Sequence, residues 1–305
     1  MKSLALSMLA IASMAAMSSC SSENDPVDEV IAGNQEKVEI KLSAGVVEVG
    51  TKAIIEGTTP TFNANVIRFD ATTTPTEQNW KSVQTEITAN VTSGVVGFGV
   101  TQYYTAANNA YFIGYSTAGA TALSSGVIPY TIDGSQDIIC TTVTDAGSNS
   151  TPITPTLEFG HKLALIKITV KAENEGASNY WGNLTSIEIK NMPTSLDLDL
   201  NKGTIAANTT PNNKNITFTE GSVVDKIPTS NEDAGNAMVL AVENPELLIK
   251  TANFPDGVNV TTDLKAIASK KNTITLNFKA NEISVTSATV EAWGDDGGTS
   301  NKDVE

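Results

Sequence analysis

LEFGHKLALIKITV, residues 157–170, is the stretch whose reading decides the fold. Its branched and aromatic side chains favour strand, and it contains His161, the sole histidine of the chain. Apolar residues alternate from Lys162 onward, but the phase changes between Leu165 and Ile166. That pattern predicts a strand that is covered on both faces or carries a bulge. His161 is then either a catalytic base or metal ligand, or simply the start of a strand. A hydrolase triad, a zinc site and most proton shuttles need a histidine with organised partners. One histidine with no second histidine and no paired thiolates cannot build a His-rich centre. The sequence therefore predicts a structural His161 that packs or hydrogen-bonds at the end of a β-sandwich.

The remainder of the chain repeats the pattern. Thr, Ser, Asn, Gly, Val and Ile are abundant, and sustained helical periodicity is scarce. FNANVIRFD, GVVGFGV, NAYFIGYS, GVIPYTI and QDIICTTV precede the opening stretch as strand candidates, divided by Gly, Pro, Asn or Ser clusters. LTSIEIKNM, SLDLDL, NITFT, AMVLAVE, TITLNF and EISVTSATVEAW follow it. The 305 residues, 40% hydrophobic, suffice for two cores, so the expected class is all-β: two sandwich domains with short helical turns in loops. The polar segment AENEGASNYWGN, residues 172–183, marks the expected boundary between them.

Charge and cysteines narrow the function. With 34 acidic against 19 basic residues the net charge is −15, which disfavours nucleic acid and anionic membrane surfaces as partners. Residues 1–20 read as a lipoprotein leader: Lys2, an apolar run too short to span a bilayer comfortably, then Ser18 and Ser19 before Cys20. Cys20 is the expected lipidated residue, and a conventional signal cut near Ala16 is the alternative. Cys140 then has no partner for a disulfide and is expected to be a buried small hydrophobe.

Other motifs carry no chemistry. DLDLNKG, residues 197–203, places oxygens at alternate positions like a calcium loop, but Lys202 and Asn208 stand where that loop needs Gly and Glu. The alternating Leu196, Leu198 and Leu200 favour an amphipathic strand. GVVGFGV precedes no helical pattern, so a dinucleotide loop is not expected. No catalytic, metal or cofactor site is expected.

At the front of the chain KVEIKL, residues 37–42, alternates strictly: Val38, Ile40 and Leu42 on one face, charged residues on the other. VVEVG adds Val47 and Val49 to the apolar set, and Lys52 follows in a Gly- and Thr-rich context.

Taken in order, the leader, the T-K-A of residues 51–53, the QDIIC strand, LEFGHKLALIKITV and the late TITLNF with EISVTSATVEAW resemble the fimbrillin family of Bacteroidales, subunits of type V pili. The most specific likeness is a Q-D strand followed by F-x-H-x-L-A: Gln136, Asp137, Phe159, His161, Leu163 and Ala164, with Trp293 near the C-terminus. The resemblance implies two transthyretin-like sandwich domains. It implies a lipid-anchored precursor at the outer membrane, anchored by acyl chains at Cys20. A maturation protease would cut after Lys52 and remove a strand carrying Val38, Ile40, Leu42, Val47 and Val49. A strand from a neighbouring subunit would then take its place in a surface fimbrium that contacts a host or bacterial ligand. On this reading residues 1–20 are the leader and 21–52 the tether with the removable strand. Residues 53–173 form one domain, and 174–305 form the second with its acidic, Gly-rich tail. The rival is a non-polymerising surface lipoprotein that binds glycans on exposed rings such as Trp80, Tyr103, Tyr104, Tyr111, Tyr180 and Trp181.

Overall fold

A computed structural model of the protein describes residues 37–46, 61–83, 85–105, 108–210, 212–219 and 223–292. In chain order the first half carries β1 (Leu42–Val46), β2 (Phe62–Ala71), helix α1 (Glu77–Ser82), β3 (Ile87–Thr92), β4 (Val95–Phe98), β5 (Asn109–Ser116), β6 (Val127–Thr131), β7 (Ile139–Thr141), β8 (Thr144–Asp145), β9 (Thr156–His161) and β10 (Ala164–Ala172). The second half carries α2 (Glu175–Trp181), β11 (Leu184–Pro193), β12 (Ser195–Asp199), β13 (Thr204–Ala207), β14 (Asn213–Thr217), β15 (Glu232–Val239), β16 (Val242–Glu243), β17 (Glu246–Thr251), β18 (Phe254–Thr261), β19 (Lys265–Ala266), β20 (Lys270–Phe278) and β21 (Ile283–Ala292). The fold is all-β, and the two helices among the described residues are short, of 6 and 7 residues.

Backbone pairing closes a ring. From β2 the hydrogen bonds run through β3, β4, β1, β9, β7 and β5 and back to β2, with β8 appended to β5. Closure removes sheet edges that water or another chain would otherwise meet. The other strands form two four-stranded sheets, β15-β10-β20-β21 and β14-β11-β17-β18, a three-stranded sheet β13-β12-β6 and the pair β16-β19.

Two apolar clusters result. One fills the ring with Val66, Val91, Phe112, Leu157 and Phe159 among others. The larger one lies on the outer side of β2 and β5, where Ile67, Ile113 and Tyr115 meet residues of the later sheets. β5 is thus covered on both faces, which is the physical reason NAYFIGYS reads as a continuous apolar run rather than an alternation.

The opening stretch crosses from one cluster to the other. Leu157 and Phe159 of β9 point into the ring, whereas Leu163, Ala164, Leu165 and Ile166 belong to the larger cluster. The expected strand over residues 162–170 thus begins only after a break at Lys162 and Leu163 and lies in a different sheet from β9; His161 ends β9 rather than starting the later strand. Leu165 and Ile166 are both buried, and the pairing of β10 with β15 shifts register between Lys167 and Thr169.

Within residues 172–183 the chain forms the short packed helix α2, Glu175–Trp181. The Asn174 side chain accepts from the Ala177 amide at its start, Gly182 ends it at φ 73°, and buried Trp181 donates Nε1–H to the Lys279 carbonyl at 2.5 Å. Pairing also crosses the position expected for the boundary: β6 joins β12, and β10 lies between β15 and β20. β3, β13, β17 and β18, with the two-residue β8 and β19, are not among the strand candidates of the sequence. β18 contains Pro255, Asp256 and Gly257, which read as a turn, and it is tolerated because β18 is the edge of its sheet.

Candidate functional site, a strand-binding groove

β1 occupies a central place in the ring although it comes from the front of the described chain. It runs antiparallel to β4, with Leu42 opposite Val96, and parallel to β9, with Ser43 opposite Thr156 and Val46 opposite Phe159. The Ser43 amide donates to the Pro155 carbonyl at 3.0 Å and the Ala44 amide to the Gly94 carbonyl at 2.8 Å, so both flanks are engaged. The Ser43 hydroxyl adds a bond with the Thr156 hydroxyl at 2.8 Å. Ahead of β1 the chain continues extended: the Ile40 amide donates to the Gln102 carbonyl at 2.8 Å, and Val38 O accepts from the Tyr104 amide at 3.1 Å.

The inward face of this segment is Ile40, Leu42, Ala44 and Val46, all no more than 4% exposed, with Val38 partly buried beside them. Period two runs unbroken through Ala44, a small residue whose inward position the sequence reading passed over in favour of Val47 and Val49. Carrying the alternation on from Leu42 would have found Ala44 and Val46. The strand is a plug with a matched lining.

At the far end of β9 lies a buried polar knot. His161 Nδ1 and Asp137 Oδ1 are 3.0 Å apart, and the two residues are 3% and 1% exposed. The Ser116 hydroxyl donates to the Asp137 carbonyl at 3.0 Å and accepts from the Ile139 amide at 3.1 Å. The Ser269 hydroxyl donates to the His161 carbonyl. These bonds tie β5, β7, β9 and the loop before β20 where the chain passes from one cluster to the other, and they bring Asp137 and His161 together.

A family model described as fimbrillin-like matches residues 51–293. The chain belongs to the fimbrillin-like family. Solved structures of similar fold include a protein of Bacteroides uniformis assigned to cell adhesion, 16% identical, covering 84% of this chain and 99% of its own at a TM-score of 0.59. A second such protein, from Bacteroides ovatus, is 15% identical with 86% and 100% covered and a TM-score of 0.58. A fimbrial protein of Bacteroides vulgatus is 14% identical with 83% and 99% covered and a TM-score of 0.51. At these identities the likeness is one of fold. No curated protein matches the chain. The fimbrillin-like match begins at Thr51, so β1 lies ahead of it.

The structure distributes the remaining sequence-predicted residues of this fimbrillin-like chain as follows. Cys20, Val47, Val49, Lys52 and Trp293 lie outside the described residues. Phe159 is fully buried in the ring and meets Phe62 edge-on at 5.0 Å. Cys140 is buried in β7, and burial pushes its thiol up to about 12. Leu196, Leu198 and Leu200 are buried, while Asp197 accepts from the Asn208 amide and Asp199 pairs with Lys202, consistent with an amphipathic strand. Of the rings named for a glycan platform, Trp80, Tyr104, Tyr111 and Trp181 are buried, which leaves Tyr103 and Tyr180 exposed.

Proposed function

We propose that this protein is a fimbrial subunit that travels as a lipid-anchored precursor and polymerises when its leading strand is cut away and replaced by a strand of a neighbouring subunit. The observation that carries the reading is that β1, a strand ahead of the family-matched region, is hydrogen bonded on both sides within a closed ring. Removing it would leave β4 and β9 as two unpaired edges and expose the lining of the ring. Ile40, Leu42 and Val46 at roughly 1.5 to 3 kcal/mol each forfeit on the order of 5 to 10 kcal/mol as an upper estimate. That is comparable with the whole stability of an ordinary domain, about 5 to 15 kcal/mol. An emptied groove therefore demands a replacement, and strand addition supplies one.

In this reading Cys20 carries the acyl chains, residues 21–52 are the tether with the discarded strand, and a protease cuts after Lys52 at the outer membrane. The incoming strand is the β21 segment of a second subunit: it sits at a sheet edge, held by β20 alone. The mature subunit works through backbone pairing rather than catalysis, and its assembled surface presents the adhesive contacts. The fimbrial and cell-adhesion descriptions of proteins with this fold support the reading.

The test is the N-terminus and intact mass of the chain recovered from the cell surface, read together with denaturing gels without heating. A chain beginning near Ala53 that migrates as a ladder is the expected result. A chain that retains acylated Cys20 and stays monomeric after protease treatment would overturn it.

A further inference from the structure

Arg68 is the only arginine of the protein, and its side chain is 14% exposed. It lies on β2 two and four residues beyond Val66 and Ala64, whose side chains enter the ring, so it continues the inward face towards one end. Asp70, next on that face, grips it with two bonds: Nε to Oδ1 at 2.8 Å and Nη2 to Oδ2 at 3.0 Å. The fork is thereby oriented, and its guanidinium carbon sits 6.0 Å from the centre of the Phe112 ring. Its remaining donors reach a segment that lies in no strand. Nη2 donates to the Tyr103 carbonyl at 2.8 Å and Nη1 to Gln102 Oε1 at 3.2 Å, while the Thr105 hydroxyl donates to Asp70 Oδ2 at 3.3 Å.

The same segment faces the leading strand with its other bonds. Gln102 O receives the Ile40 amide and the Tyr104 amide serves Val38 O, with Glu39 opposite Tyr103. β1 fixes the register from Leu42 onward, but ahead of it the one isolated bridge is a weak grip, and a local slip there would turn Ile40 outward and Glu39 inward. Something must hold Gln102 and Tyr104 still.

We propose that Arg68 is the positioning residue of the groove: by fixing Tyr103 O and the Gln102 side chain it presents Gln102 O and the Tyr104 amide as a rigid docking pair that sets the register of the strand in front of them. For the uncut chain that strand is the Val38–Glu39–Ile40 segment. For a strand arriving from a second subunit the inference rests on the exchange reading above. It then specifies the partner further: alternating apolar residues, and no proline at the position that replaces Ile40, where an amide must reach Gln102 O.

Hydrogen exchange on the uncut full chain tests the docking pair without any polymer. Arg68→Met removes hydrogen bonds from a charged donor, the stronger kind, so it is expected to speed exchange of the Ile40 and Tyr104 amides on the order of tenfold or more. Arg68→Lys, which keeps the charge but loses the planar fork, falls between. Amides of β20 should not change, and neither should any of these in Lys250→Met, which breaks the remote pair with Glu188. If Arg68→Met does not fold, Gln102→Leu removes one tie and is read the same way. Unchanged Ile40 and Tyr104 amides in a folded variant overturn the proposal. Protease-cut chains then separate the two readings. If wild type forms no ladder while those amides respond to Arg68, strand exchange fails and the docking pair stands for the resident strand alone. If wild type forms a ladder and Arg68→Met forms it equally fast, the residue has no part in positioning the incoming strand.

Discussion

β1 and β21 are the first and last strands described, both alternate in sequence, and the fold treats them in opposite ways. Leu42, Ala44 and Val46 of β1 are 3 to 4% exposed, and the strand has a partner on each side. β21 pairs with β20 alone, its register shifts between Thr275 and Leu276, and Val290 remains 43% exposed. Ile283, Val285 and Ala288 pack on the large cluster only in part. Loss of β1 empties a core and uncovers two edges, whereas release of β21 uncovers the one edge of β20 that it covers. Within one chain a strand enclosed on both sides and a strand at a sheet edge are thus held by different means, the first by burial of its inward face and the second by a long backbone ladder with one neighbour.

The sharpest way to break the contrast is to place a charge on each strand. Leu42→Asp buries a carboxylate in the ring and is expected to cost upwards of about 4 kcal/mol in urea unfolding, whereas Val290→Asp should stay within about 0.5 kcal/mol. Equal costs would mean that β1 is not held as described. Next comes the polar knot on β9, the parallel partner of β1. His161→Ala removes the buried hydrogen-bond partner of Asp137 and leaves a cavity, and should cost about 2 to 4 kcal/mol. Faster exchange of the Ser43 amide, bonded to Pro155 O just before β9, with less change in the Ala44 amide on the β4 flank and none in β21, would show that the loss is felt through β9. Truncation is gentler than a charge: Leu42→Ala should cost about 2 to 5 kcal/mol and Val285→Ala about 1 kcal/mol or less, both from the same unfolding curves. The smallest expected effect concerns Cys140 on the ring wall. Its raised thiol stays protonated at pH 8, so iodoacetamide should label it in urea and hardly at all in the native chain. Rapid native labelling would mean that the ring opens beside β7, and the division into a tight ring and a loose edge would have to be redrawn.

Much of this was legible beforehand because side chains alternate along every strand. Val38, Ile40 and Leu42 were placed on one face from the pattern alone, and Cys140 was placed in a core. The reading failed where the local signal is weak: Ala44 is too small to register as apolar, and the Pro-Asp-Gly of β18 spells a turn. It also failed at LEFGHKLALIKITV, where a continuous apolar run conceals a break between two sheets. The Asp137 and His161 side chains meet only because β7 lies beside β9, and nothing local to either residue announces the other. Nothing local to FNANVIRFD marks the role of Arg68, since its partners Gln102 and Tyr103 lie more than thirty residues away.

The sequence by itself determined the all-β class, the family resemblance and the inward face of most strands, because these depend on a two-residue period set by the backbone. Only the tertiary structure decided which strands are neighbours: β1 slotted between β4 and β9, β10 handed to the later sheet, and Arg68 turned onto the segment that greets the leading strand. Backbone donors and acceptors are alike at every residue, so pairing is chosen by the joint burial of side chains far apart in sequence and by closure of the ring.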